Sequence, residues 1–182
     1  MTCRIPAALL VLAVTTSGAF AAPSQLYGKT VVISTSETRT SRPVGGGATK
    51  DATASNTLSV YISSNGRAFV RSDRTLNNRR GSQSKAMDTG PEGGAIGVSV
   101  ASNVQFSGST MVVNMQMVSG ARRITATFDG SFSSCSGSVV NGRESGKPMI
   151  IRSRYTGEDR EVLSIQSSVT GCSVQSGNAF AN

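Results

Sequence analysis

Few residues in this chain have types and spacing that can do chemistry, and two cysteines stand first among them. Cys135 lies in FSSCSGSVV and Cys172 in VTGCSV, while Cys3 belongs to the extreme N-terminus. A thiol can serve as a nucleophile, a metal ligand or half of a disulfide. Nucleophilic use normally needs a base or a cationic activator beside the sulfur, and the chain has no histidine. Two distant thiols without histidine do not readily complete a zinc site either. Pairing remains, so Cys135 and Cys172 are expected to form a disulfide.

Other chemical candidates are weaker. Ser82-Gln83-Ser84-Lys85 fits the S-x-x-K pattern of serine acyl enzymes but lacks the companion motifs. Gly45-Gly46-Gly47 precedes no helix that would complete a phosphate cradle, and reads as a linker. Glu158, Asp159 and Glu161 surround Arg160 in a polar turn, where solvated surface charge explains them better than acid–base catalysis does. With no credible nucleophile and base, no metal set and no cofactor motif, the expectation is a protein that is not an enzyme.

Arginine supplies the remaining chemistry. Arg67, Arg71 and Arg74, followed by Arg79 and Arg80, form the densest basic region and the candidate anion-binding surface. Arginine's planar fork suits carboxylates and phosphates. Nucleic acid is not the expected partner, because stacking platforms require accessible aromatics and Phe69 is the only one in that region. Arg122 and Arg123, adjacent on a strand, should point to opposite faces.

The N-terminal stretch MTCRIPAALLVLAVTTSGAFAAPS has a basic residue, an apolar core and a small-residue site in the order of a secretory signal peptide. Residues 1–21 are read as that signal and residues 22–182 as a single exported domain, periplasmic or extracellular. The apolar core is too short to span a bilayer. Cleavage would remove Cys3 and Arg4, leaving two cysteines in a compartment that permits disulfides and a net charge of +7, with seventeen basic residues against ten acidic ones. Such a surface favours anionic partners.

The elements that must position these groups are strands. Val31 and Ile33 alternate with polar neighbours in KTVVISTSETR, and Leu58, Val60 and Ile62 do so in TLSVYIS. Asn65-Gly66 reads as a type I′ hairpin turn, with both residues at positive φ. Met111, Val113, Met115 and Met117 line one face of the next strand, answered by Ile124, Ala126 and Phe128 across a tight turn at Ser119-Gly120. That methionine-rich stripe is read as core, with an apolar ligand cavity as the alternative. Residues 40–56 and 74–97, rich in glycine, serine, asparagine and charge, are expected to be long flexible loops. The fold class is therefore all-β, an antiparallel up-and-down meander of about eight strands closing as a small lipocalin-like barrel, or else a two-sheet β-sandwich.

The signal-like leader together with GKTVVISTSETR, FDGSFSSC and GCSVQSGN resembles small exported bacterial proteins of uncharacterised function. The resemblance implies bacterial export and assigns no activity. The function expected is a non-enzymatic binding or interaction protein of the bacterial envelope that contacts anionic polymers through its arginines. Its rivals are a β-barrel carrier of a small apolar ligand and a structural envelope component.

Overall fold

The computed structural model describes residues 21–78, 81–88, 103–117, 120–142, 148–153 and 156–179. A 3-10 turn at Ser24–Leu26 leads into strands β1 (Lys29–Pro43), β2 (Lys50–Ile62), β3 (Ala68–Asn78), β4 (Gly81–Asp88), β5 (Val104–Ser107), β6 (Thr110–Met117), β7 (Gly120–Phe128), β8 (Cys135–Gly142), β9 (Met149–Arg152) and β10 (Asp159–Ser176). Every pairing is antiparallel. Six strands form one sheet in the order β4-β3-β2-β1-β10-β9, and four form a second in the order β5-β6-β7-β8. Most neighbours are consecutive in the chain, as a meander requires. The departure is β10, which returns to lie against β1.

The inner faces of both sheets meet in one core. Val31, Ile33, Leu58, Val60, Ile62 and Val70 come from the first sheet, with Met111, Val113, Ile124, Ala126 and Phe128 from the second. Their spacing of two residues along each strand puts them on one face, so alternation alone assigns them inward. The second sheet lies against a long, half-barrel-like first sheet. That arrangement is all-β and antiparallel, and its outline suits both the barrel and the sandwich alternatives. The disulfide Cys135–Cys172 ties β8 to β10 across the two sheets, with Cα atoms 5.5 Å apart. Gly137 brings the same two strands together, since a Cβ there would lie 3.0 Å from Cγ1 of Val169.

Several expectations need correction. Residues 40–56 are not a long loop: β1 continues to Pro43 and β2 starts at Lys50, leaving only residues 44–49 as the connection. Thr38 pairs with Thr53 in the ladder, and Thr40 Oγ1 donates a hydrogen bond of 2.7 Å to Asp51 Oδ1. Within residues 74–97, β3 runs to Asn78 and β4 spans Gly81–Asp88, while residues 79–80 and 89–97 lie outside the described residues. Along residues 40–56 the inner face is itself largely polar, so the apolar alternation that reveals a strand is lost. The strand count is accordingly ten among the described residues rather than about eight.

Both predicted hairpins form, but the first uses another turn. Gly66 has φ +78° and, among the described residues, Phe132 is the only non-glycine with positive φ, so Asn65 does not adopt the type I′ conformation. Instead the Gly66 N–H donates to Ser63 O, and Ser63 N–H to Arg67 O, closing a turn centred on Ser64 and Asn65 with Gly66 in the left-handed position. At the second hairpin Met117 pairs with Gly120, so Gly120 opens β7 rather than occupying the centre of the turn.

Candidate functional site

Each sheet's inner face changes character along its length. On β1 the inward positions run Val31, Ile33, Thr35, Glu37, Arg39 and Ser41, from apolar to charged within one register. Beside them on β2 stand Val60, Leu58, Asn56 and Ala54, and on β3 Val70 pairs with Val60, Ser72 with Leu58 and Arg74 with Asn56. In the opposite sheet β7 runs Phe128, Ala126, Ile124 and Arg122, with Cys135, Gly137, Val139 and Asn141 opposite them on β8. The two sheets thus enclose an apolar layer at one end and a polar layer at the other.

The polar layer is organised around Glu37. This residue is 3% exposed, and its partner Arg122, reaching from the other sheet, is 4% exposed. Arg122 Nη2 donates to Glu37 Oε2, while Arg74 Nη2 donates to Oε1 at 2.9 Å. Arg122 Nε donates to Asn141 Oδ1 at 3.1 Å, and Asn141 Nδ2 donates to Ser167 Oγ on β10 at 2.8 Å. The network therefore crosses between the sheets twice. Burial alone would raise the Glu37 pKa, but the charges of Arg74 and Arg122 and their hydrogen bonds outweigh it and hold the carboxyl below its ordinary value.

Arg39 completes the cluster from the next inward position on β1. Its Nε is buried and has no hydrogen-bond partner. Desolvation lowers its pKa, Glu37 acts in the opposite direction, and Arg74 adds repulsion. Arginine still remains protonated at neutral pH. Among the described side chains, one carboxylate thus stands with three guanidinium groups, two of them paired to it, a formal surplus of two positive charges. Asn56, cross-strand neighbour of Arg74, has a buried Oδ1 that is also unpartnered. Chemically, the guanidinium donors of this layer can meet a group that carries hydrogen-bond acceptors and negative charge, whereas Asn56 Oδ1, itself an acceptor, calls for a donor such as a protonated oxygen.

The proposed surface patch is divided by the sheet. Arg74 turns inward to Glu37, whereas Arg71 lies on the opposite face of β3 and pairs with Asp73 at 3.2 Å. Arg67 is exposed at the end of the β2–β3 turn, and Arg79 and Arg80 lie outside the described residues. Arg122 and Arg123 do face opposite ways, one buried and the other exposed. Glu37 and Arg39 escaped the sequence reading. Both keep the parity of Val31 and Ile33, and that in-phase placement was the available signal.

The other candidates find structural roles. Met111 and Val113 are fully buried in the core and Met115 packs against it, so these positions of the stripe are filled by packing; the side chain of Met117 lies outside what is described. Ser82 and Lys85 fall in strand β4, whereas S-x-x-K juxtaposes its two side chains on a helix. Glu158 pairs with Arg160 at 2.9 Å and Glu161 with Arg42 at 2.8 Å. Arg160 is itself buried and donates to Ser41 Oγ and Ser41 O. Asp129 accepts hydrogen bonds from Ser133 N–H and from the hydroxyls of Ser131, Ser133 and Ser134. The serine-rich FDGSFSSC is thus a locked turn between β7 and β8.

Among the described residues no three or more cysteine, aspartate or glutamate side chains are grouped to hold a metal ion, and no helix is long and apolar enough to cross a membrane. No family model, curated protein or solved structure matches the chain.

Proposed function

We propose that this is an exported, non-enzymatic binding protein that recognises an anionic partner through arginine. The observation that carries this reading is the charge imbalance between the sheets: among the described side chains, Arg74 and Arg122 pair with the carboxylate of Glu37 and Arg39 lies within its electrostatic reach without bonding to it. A buried guanidinium nitrogen without a hydrogen-bond partner, such as Arg39 Nε, is costly, and an anionic ligand offsets that cost when it binds. The reading moves the centre of recognition from the outer arginines to the inner face of β1, β3 and β7. A carrier of apolar ligands is less well supported, because Met111 and Val113 have no exposed surface from which to line a cavity.

Native mass spectrometry of protein recovered from its own envelope or culture fluid tests the reading. An anionic adduct that dissociates as salt is raised is the expected result. An apolar adduct insensitive to salt would refute it.

A further inference from the structure

We infer that Arg39 is the docking edge of a recessed site for one compact phosphate-type oxyanion, enclosed by β1, β3 and β7. The inference rests on the anionic-partner reading and deepens it by naming the residue and the ligand chemistry. Glu37 spends both carboxylate oxygens on Arg74 and Arg122. Arg39 is left as the member of the cluster whose Nε is buried and unsatisfied. A guanidinium presents Nε and a terminal nitrogen as a fork that fits two oxygens of one oxyanion.

Charge selects among oxyanions. Among the described side chains the surplus is two positive charges, which a phosphomonoester or hydrogen phosphate dianion neutralises, whereas a carboxylate leaves one charge uncompensated. Access is available from the partly exposed side of the layer, where the Arg74 side chain retains 20% of its surface. The opposite wall is closed by Arg122, at 3% side-chain exposure. In the inferred site a small headgroup enters on the Arg74 side and leaves the Glu37–Arg122 bridge in place.

The same chemistry has two sources, free phosphate and the phosphomonoester headgroup of a lipid. Inorganic phosphate is titrated into the disulfide-intact protein at constant ionic strength, with acetate and chloride as comparison anions, and binding is read by thermal melting and by 31P line broadening. Phosphate is expected to raise Tm saturably, with acetate and chloride having little effect. Arg39→Met should melt at or above the wild-type temperature without phosphate, because Arg39 Nε has no partner to lose. Its apparent affinity for phosphate should fall about tenfold or more. Co-sedimentation with phosphatidic acid vesicles assigns the headgroup source if free phosphate competes; binding of free phosphate alone assigns the solute.

Three results overturn the inference. They are the absence of a phosphate-specific response, an acetate response that exceeds it, and undiminished phosphate binding by Arg39→Met. Retention of wild-type protein on an anionic polymer despite a failed phosphate titration would leave the broader reading standing. Failure of both would remove the two together.

Discussion

Arg122 and Glu37 meet between the sheets with almost no exposure to water, so deleting one strands the other as a buried charge. Breaking such a pair typically costs about 3–5 kcal/mol. Arg122→Met should lose stability on that scale in urea melts, whereas Arg123→Met, on the exposed face, should change it by about 0.5 kcal/mol or less. The Glu37 carboxyl titrates below its ordinary value of 4.5, so its ionised form favours the folded state. That contribution is complete above the unfolded-state pKa and disappears as pH falls through the folded-state value. Urea midpoints should therefore drop as the solution is acidified below about pH 4.5, and Glu37→Gln should show a shallower drop from a lower starting stability. Asp129 acts in the same sense, because the Ser133 hydrogen bonds hold its carboxyl below the usual range.

At the scale of elements, β8 and β10 approach where a glycine permits and a disulfide holds them. A Cβ on Gly137 would meet Val169 at the limit of contact, so Gly137→Val should push the strands apart and cost about 1–3 kcal/mol by chemical denaturation. Cys135→Ser with Cys172→Ser removes a crosslink spanning 37 residues and should lower stability by about 4 kcal/mol on the chain-entropy model. If anion binding belongs to the other end of the inter-sheet layer, the oxidised wild type and the double serine variant should bind phosphate alike at temperatures where both are folded.

The strands that carried this architecture were unequally legible. β6 and β7 announce themselves through Met111, Val113, Ile124 and Ala126, which alternate cleanly because they face an apolar layer. The end of β1 and the start of β2 do not, since Glu37, Arg39 and Asn56 replace apolar residues at the inward positions. There both faces are polar and the sequence resembles a loop. The basic region hides its division between two faces for a related reason. Grouping Arg67, Arg71 and Arg74 by proximity along the chain ignores the period of two that sends Arg71 and Arg74 to opposite sides of β3.

For the whole molecule, the proposed export carries one further expectation. If residues 1–21 act as a leader, as proposed, the secreted form should have the intact mass of a chain starting at Ala22, with both remaining cysteines oxidised. Protein retained in the cytoplasm with residues 1–21 attached would contradict it. By itself the sequence determined the all-β class, the inward apolar residues, both hairpins and the pairing of Cys135 with Cys172, because each depends on local periodicity, turn chemistry or a count of thiols. Only the tertiary structure decided that β10 returns beside β1 and that Arg122 from one sheet meets Glu37 from the other. Strand parity tells which side a residue faces, but not which distant residue faces it. Among the described side chains, the charge surplus around Glu37 arises from that long-range meeting of the two sheets.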